Sequence, residues 1–269
     1  MDERLTQSIK WMWSLGDYNE LARRLEPCAV ALADACEIAG GMQVLDVAAG
    51  NGNFAIAAAR RGARVTASDL TPRMIELGRQ RTADEGLAIE WKEARVEELP
   101  FEPGRFDVVG SVFGAQFALQ PDRVAPELFK VARPGGVVAM ANYSRKGFLG
   151  EMGQLLESLR PPSAAETHSP FEWGDPDEVR RRFDGLASSV HTEERTASFD
   201  FDSLEAGWEF WERTNGPQNA MKAMMPAEAY AAFVRQELDL MRSLNRADGG
   251  RLRLEWDWLL VVARRAGSG

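Results

Sequence analysis

A short buried strand that runs into a glycine-rich turn constrains the fold of this chain more than any other segment. It covers residues 43–54, QVLDVAAGNGNF, where Val44 and Leu45 favour a strand and Gly50 and Gly52 favour a tight turn. A helix is expected to begin directly after the turn. Because this arrangement directs backbone N–H groups at a ligand, we expect a nucleotide-like molecule to bind there.

The spacing of the glycines fits two classes of ligand. Gly50, Gly52 and Ala55 match the G-x-G-x-x-G/A pattern of dinucleotide sites, which would make the protein a nicotinamide-dependent oxidoreductase. Asp46, four positions before Gly50, argues against this interpretation, because a carboxylate beside the turn would repel a pyrophosphate. A cationic ligand suits Asp46 better, so the oxidoreductase stays as the alternative.

With these residues in view, the segment resembles motif I of class I S-adenosylmethionine-dependent methyltransferases, whose donor carries a sulfonium and an ammonium. Two further short motifs resemble those of the same family, L-P-F at residues 99–101 and R-P-G-G at residues 133–136. The similarity is to the small-molecule members, such as the ubiquinone and menaquinone methyltransferases. It implies an α/β fold with a Rossmann-like, seven-stranded, mostly parallel sheet, an antiparallel last strand, helices on both faces and helical cap insertions.

The chain is expected to form one domain with several parts. These are an N-terminal helical lid (1–40), a donor-binding core (41–145), two cap insertions (146–185 and 198–250) and the last two strands (186–197 and 251–266). The aromatic residues of the lid can equally pack it onto the core. Within the first insertion, the loop of residues 161–174 is long enough to predict a pocket wall.

The donor site is predicted at the carboxyl ends of the first, second and fourth strands. Asp69 closes the second strand, where its carboxylate is placed to accept both ribose hydroxyls. The residues expected to bind S-adenosylmethionine are Tyr18, Asp46, Ala48, Gly50, Gly52, Asp69, Leu70, Arg95, Val96, Ser111 and Gln116. A non-methylating enzyme that keeps S-adenosylmethionine, such as a cyclase, would carry the same motifs and is a further alternative.

One of these residues departs from the pattern of the family. Relatives usually carry an Asp where this chain has Arg95, and that Asp accepts a hydrogen bond from the adenine amino group. An arginine has only donors, so Arg95 either stacks on the adenine or points away from it. Glu97 is an alternative acceptor that the sequence does not place.

The acceptor pocket is predicted to be apolar and aromatic. Trp13, Trp208, Trp211 and Met224 are the candidates, and core packing is the competing interpretation for aromatic and methionine stripes of this kind. The large insertions suggest a small molecule as the methyl acceptor, by analogy between folds.

Two side chains are candidates for assisting the transfer. His168, in the long loop, is a candidate base because an imidazole can take up a proton near neutral pH, and Tyr143 follows the fifth strand where it could orient the acceptor. A solvated loop histidine is the alternative for His168, and His191 is expected to be structural. Methyl transfer from a sulfonium needs no protonated leaving group, so a dedicated base is not required.

Composition and charge exclude several classes of function. The net charge of -9 and the pI of about 5.0 argue against nucleic acid as a partner. The end of the fourth strand, SVFG, also lacks the Asn or Asp followed by Pro-Pro-aromatic that base-amine methylases show. No apolar run is long enough for a membrane span and no secretory signal is visible, so we expect a cytoplasmic protein. A homodimer is compatible with the sequence.

Cysteine and histidine usage predicts no metal site. Cys28 and Cys36 are eight positions apart in one expected helix, too far for a disulfide, so both are predicted to be reduced core thiols. Pro27 is expected to interrupt this helix. Asp17 and Thr71 are predicted to cap the helices that follow them.

Overall fold

The computed structural model describes residues 3–159 and 168–267 of the 269-residue chain. The helices are Glu3–Ser14 (α1), Tyr18–Ala35 (α2), Asn53–Ala59 (α3), Pro72–Asp84 (α4), Pro121–Val131 (α5), Gly147–Ser158 (α6), Pro176–Phe183 (α7), Leu204–Thr214 (α8), Gly216–Met224 (α9) and Ala227–Leu244 (α10). The strands are Gln43–Val47 (β1), Arg64–Asp69 (β2), Ile89–Glu93 (β3), Phe106–Val112 (β4), Ala132–Lys146 (β5), Ala187–Phe201 (β6) and Leu252–Arg265 (β7).

The seven strands form one sheet in the order β3-β2-β1-β4-β5-β7-β6. Neighbours from β3 to β5 pair in parallel, while β7 pairs antiparallel with both β5 and β6. This topology confirms the predicted Rossmann-like sheet with its antiparallel last strand.

The pairing register brings the ends of three strands together. In β1, Val47 lies opposite Ser68 of β2, and Asp46 lies opposite Gly110 of β4. The loops that follow β1, β2 and β4 therefore leave the sheet at the same edge, where ligands bind in open α/β sheets. Because β6 runs parallel to β5, α8 also begins at this edge, and the insertion formed by α8, α9 and α10 (the cap) lies there.

Two apolar clusters fill the two faces of the sheet. The first contains residues of α2, α3, α6, α8 and α10, and the second contains residues of α5 and α7. Successive residues of β1 enter opposite clusters, Val44 the first and Leu45 the second, as the alternation of a strand requires. Cys28 and Cys36 are free and buried in the first cluster, which confirms their prediction as core thiols.

Several local expectations were wrong. The second helix is continuous through Pro27, because this proline is exposed and the carbonyl that it leaves unpaired can meet water. Asp17 and Thr71 occupy the N-cap positions of α2 and α4, as predicted, but neither makes a side-chain hydrogen bond to its helix. Instead, the carboxylate of Asp69 accepts from the Thr71 backbone N–H at 2.8 Å.

The strand β5 includes the Arg133-Pro134-Gly135-Gly136 step, although Gly135 has a left-handed φ angle of 72° and the pairing with β4 shifts register there. The predicted pocket wall at residues 161–174 falls in part on residues 160–167, which lie outside the described residues. None of the helices in the described part of the chain is long and apolar enough to cross a membrane.

Candidate active site

The turn after β1 brings backbone groups close to a neighbouring aromatic ring. Gly50 and Gly52 have φ angles of 55° and 91°, in the left-handed region that glycine adopts without strain. A Cβ on Gly50 would lie 3.0 Å from Cε1 of Tyr18, at the start of α2. A side chain at this position would therefore meet the tyrosine, which explains why the turn needs glycine there.

Asp69 joins the turns after β1 and β2. One carboxylate oxygen accepts from the backbone N–H of Gly50 and the other from that of Thr71, both at 2.8 Å. Burial raises the pKa of Asp69 to about 6, while its bonds to Thr71 and Gly50 oppose the shift. The Thr71 hydroxyl and the Leu70 N–H also act on this carboxylate and oppose the rise in its pKa. The position of Asp69 in the pocket wall makes it a candidate acceptor for ligand hydroxyl groups.

Asp46 lies beneath the glycine turn and is 1% exposed. Its Oδ2 accepts from the backbone N–H of Ala55, in the first turn of α3, at 2.8 Å. Burial raises the pKa of Asp46 to about 8, and the charge of Asp69 acts in the same direction. A cation near the turn would favour the ionised form of this carboxyl group.

A pocket opens at this edge of the sheet, between α1 and the ends of the strands, and encloses about 730 Å³ that is partly open to solvent. It is lined by Ile9, Trp13, Tyr18, Ala48, Gly50, Asp69, Leu70, Thr71, Met74, Ala94, Arg95, Val96, Glu97, Phe113, Gly114, Phe117, Ala118 and Leu119. The structure thus brings together eight residues that the sequence predicts for the donor or acceptor. They are Trp13, Tyr18, Ala48, Gly50, Asp69, Leu70, Arg95 and Val96.

Two non-glycine residues of the pocket hold left-handed backbone conformations. Ala48 has a φ angle of 52° and Phe113 one of 56°, and each is the first residue after a strand. Such conformations cost about 1 to 3 kcal/mol each and concentrate at functional sites. The Phe113 ring stacks on Tyr143, with centroids 4.2 Å apart and planes 2° from parallel.

Tyr143 therefore lies directly behind a wall of the pocket rather than among its lining residues. Burial raises the pKa of its hydroxyl well above the ordinary value, and the neighbouring Tyr18 and Cys28 act in the same direction. The group is neutral across the physiological range and can act as a hydrogen-bond donor. Its assignment to the transfer stays a prediction.

Ser111 and Gln116 support the loop after β4 from inside. The hydroxyl oxygen of Ser111 accepts from the Ala115 N–H at 3.0 Å, and Oε1 of Gln116 accepts from the Tyr143 N–H at 2.8 Å. Both side chains are 2% exposed or less, and neither lines the pocket. Gly52 also lies outside the lining, since its Cα faces the Trp91 ring.

His168 lies away from this pocket. Its side chain is 56% exposed, and its Nδ1 lies 3.5 Å from a carboxylate oxygen of Glu172. The two residues line a separate depression. His191 is exposed on β6, opposite Val262 of β7.

The predicted acceptor residues occupy three different environments. Trp13 lines the pocket and packs edge-to-face on Phe117, with ring centroids 5.2 Å apart. Trp211 is 6% exposed and packs in the core against Phe148. Trp208 is half-buried in the cap, and Met224 is 75% exposed.

Sequence reasoning missed part of the pocket wall. Phe117 and Leu119 follow β4, where no sequence motif indicates a binding site. Ile9 lies on α1, where Trp13 is the pocket residue that the sequence predicted. Glu97, which the sequence left unplaced, is buried in the wall, where its Oε1 accepts from the Leu119 N–H at 2.9 Å. No group of three or more His, Cys, Asp or Glu side chains could hold a metal within the described residues.

Comparison with known proteins agrees with this geometry. A family model described as a methyltransferase domain matches residues 44–136, which contain β1 to β4 and the glycine turn. A Demethylmenaquinone methyltransferase of Clavibacter sepedonicus is 36% identical over 115 residues, 43% of this chain and 46% of that relative. The chain belongs to the class I S-adenosylmethionine-dependent methyltransferases. Its cofactor is S-adenosylmethionine.

This methyltransferase is also similar to a protein over nearly its whole length. An uncharacterized protein of Mycobacterium tuberculosis (strain ATCC 25618 / H37Rv) is 35% identical over 257 residues, which cover 94% of this chain and 93% of the relative. Among solved structures, the Haemonchus contortus phosphoethanolamine N-methyltransferase 2 with bound S-adenosylhomocysteine matches with a TM-score of 0.57 and 19% identity. The match covers 89% of this methyltransferase and 52% of that chain, and shows the shared fold.

Proposed function

We propose that the chain transfers the methyl group of S-adenosylmethionine to a small, apolar or aromatic acceptor, and that the pocket beside α1 holds the donor. The observation that carries this proposal is the position of Asp69. Its carboxylate lines the pocket at the end of β2 and is anchored by two backbone N–H groups, which fix its direction. A carboxylate at this end of a strand is placed to accept the hydroxyls of a ribose.

The remaining wall suggests roles for its neighbours. The Gly50 turn leaves room for the methionine part of the donor, and Asp46 beneath it favours a positive charge there. The backbone of Val96 lies on the side expected for the adenine edge. Trp13 and Phe117 form an aromatic corner of the pocket, which we assign to the acceptor.

The bound donor supplies an electrophilic methyl group on a positively charged sulfur. The protein then acts by holding the acceptor in line with that methyl group, and positioning of this kind is worth about 7 to 11 kcal/mol in favourable cases. No base is needed in the pocket, and Tyr143, which lies behind the Phe113 ring, contributes by supporting this wall of the pocket. His168 has no part in the proposal, because it lines a different depression.

Isothermal titration of S-adenosylhomocysteine tests the donor site. Asp69→Asn is expected to weaken binding at least tenfold, since the amide keeps only one acceptor oxygen. Asp107→Asn is the matched control, because Asp107 also accepts from a backbone N–H, that of Gln43, but lies at the opposite end of the sheet. Equal affinities for the wild type and Asp69→Asn would remove the ribose assignment.

A methyl-labelled donor separates the competing functions. Transfer of label to a small molecule from a host extract supports the proposal. Binding of S-adenosylhomocysteine without any transfer favours the non-methylating alternative. If calorimetry instead detects binding of a nicotinamide cofactor, the oxidoreductase is favoured. Cytoplasmic residence and a homodimer stay predictions.

A further inference from the structure

Arg95 lines the donor pocket and also contacts α1. Its Nη1 donates to the hydroxyl oxygen of Thr6 on α1 at 2.7 Å. The guanidinium therefore links the wall after β3 to the helix on the other side of the pocket.

Glu97 fixes the guanidinium from behind. The Nε of Arg95 lies 3.6 Å from Oε2 of Glu97, whose side chain is 5% exposed. The other oxygen of Glu97 accepts from the backbone N–H groups of Leu119 and Gln120, at 2.9 Å and 3.4 Å. Because the backbone anchors this carboxylate, the direction in which Arg95 points is set by the fold and not by solvent.

The helix α1 also lies against α9 and α4, and a Cβ on Gly216 would come within 2.7 Å of the carbonyl oxygen of Met12. None of the 12 residues of α1 is buried, and Leu5 and Trp11 are 46% and 41% exposed. An isolated helix of this length is marginal in water. A second polar contact, between Lys10 and Glu93 at the end of β3, holds the same side of the helix.

The inner face of α1 forms a wall of the pocket through Ile9 and Trp13. Any movement of the helix away from β3 would open that wall. The contacts between α1 and the loop after β3, together with those between α1 and the helices α9 and α4, therefore hold this wall closed.

We propose that Arg95 is a positioning residue that clamps α1 over the donor through Thr6. The clamp rests on the proposed donor site. It predicts that Arg95 and Thr6 act as one unit: loss of either side chain releases α1, and loss of both releases it no further.

Three variants test the clamp. Arg95→Met keeps the aliphatic stem without donors, Thr6→Val removes the hydroxyl at constant shape, and the double variant carries both changes. Ser8→Ala is the matched control, because Ser8 also lies on α1 but its hydroxyl donates to Arg4 within the helix. The readouts are the dissociation rate of S-adenosylhomocysteine and the hydrogen exchange of the α1 amides without ligand.

Each single variant is expected to speed dissociation and α1 exchange about fivefold, the value of one net hydrogen bond, and the double variant no more than that. Ser8→Ala is expected to change neither rate. If Arg95→Met weakens ligand binding while Thr6→Val leaves both rates unchanged, Arg95 contacts the adenine directly and the clamp is wrong. If the wild type does not bind S-adenosylhomocysteine, the donor site fails, while the exchange of α1 still reports on the clamp.

Discussion

The donor edge of the sheet and the cap satisfy their buried polar groups differently. At the donor edge, the carboxylates of Asp46 and Asp69 accept from backbone N–H groups of the turns beside them. In the cap, Glu237 is fully buried and accepts at one oxygen from Nε2 of Gln218, at 2.8 Å, while its other oxygen has no partner. The indole N–H of Trp208 lies near Glu237 and opposes the rise that burial causes in the pKa of this carboxyl group, but it does not reach hydrogen-bond geometry.

The two regions therefore differ in how precisely the directions of their polar atoms are fixed. Backbone groups of short turns hold the donor edge, so each polar atom there has a fixed direction. The cap consists of three helices that contact one another through side chains, and its polar atoms are left incompletely paired. We therefore expect substitutions at the edge to change ligand binding, and substitutions in the cap to change mainly the free energy of unfolding.

The largest effect is expected for Gly114→Ala at the donor edge. A Cβ on Gly114 would lie 2.2 Å from the carbonyl oxygen of Ala48, so the turn after β1 or the loop after β4 must move. We expect a loss of S-adenosylhomocysteine affinity of at least 100-fold in titration, and destabilisation by about 3 kcal/mol. Gly40→Ala is the control, because its Cβ would make only ordinary contacts. Unchanged affinity would contradict a rigid edge.

The next effect is expected for Trp211→Ala in the cap. This ring is 6% exposed and packs on Phe148 and Phe199, so its loss leaves a cavity that costs about 3 kcal/mol in urea unfolding. Affinity for S-adenosylhomocysteine is expected to stay within twofold of the wild type. A tenfold loss of affinity at unchanged stability would place Trp211 in the site instead.

A smaller effect, dependent on pH, is expected for Glu237→Gln. Burial raises the pKa of Glu237 to about 8 from the ordinary value of 4.5, so the folded protein holds a proton that the unfolded chain has lost. Its contribution to stability therefore decreases as the pH rises from about 4.5 to 8. Above pH 8, we expect the amide variant to be more stable than the wild type by on the order of 2 kcal/mol.

Unfolding of both proteins at several pH values measures this contribution. Asp46 and Asp69 also have raised pKa values, so the difference between the two proteins isolates Glu237. Glu228→Gln, at an exposed position of the same helix, is the control and should leave the pH dependence unchanged. A difference between Glu237→Gln and the wild type that does not vary with pH would show that Glu237 is ionised when folded.

The smallest effect is expected for Met224→Gln. Met224 is 75% exposed at the end of α9, so the free energy of unfolding should stay within about 0.5 kcal/mol of the wild type. The rate of methyl transfer should also be unchanged. A clear loss of transfer rate would support the predicted acceptor role of Met224 and bring the cap into the site.

The sequence predicts the donor edge well because its signals are local. The strand, the glycine turn and Asp69 stand within 27 residues, and each type of residue has a physical reason to be there. The sheet order follows from the same segments, since parallel strands joined by helices leave few arrangements. Ala48, Gly50, Asp69 and Leu70, which follow the first two strands and line the pocket, could therefore be named before the fold was known.

The rest depends on contacts between distant parts of the chain. The spacing of Trp208 and Trp211 shows that they share a helix face, but not whether that face meets the core or a ligand. Arg95 stands out as a departure from the family, yet its partner Thr6 is 89 residues away. The left-handed conformation of Phe113 has no sequence signal, because phenylalanine rarely adopts it.

A crystal structure with S-adenosylhomocysteine would locate the donor relative to Asp69. We expect the ligand to lie between α1 and the ends of β1, β2 and β4. Both ribose hydroxyl oxygens should then lie within about 3.0 Å of the Asp69 carboxylate oxygens. A ligand in the depression beside His168, or a ribose that does not reach Asp69, would contradict the proposed donor site.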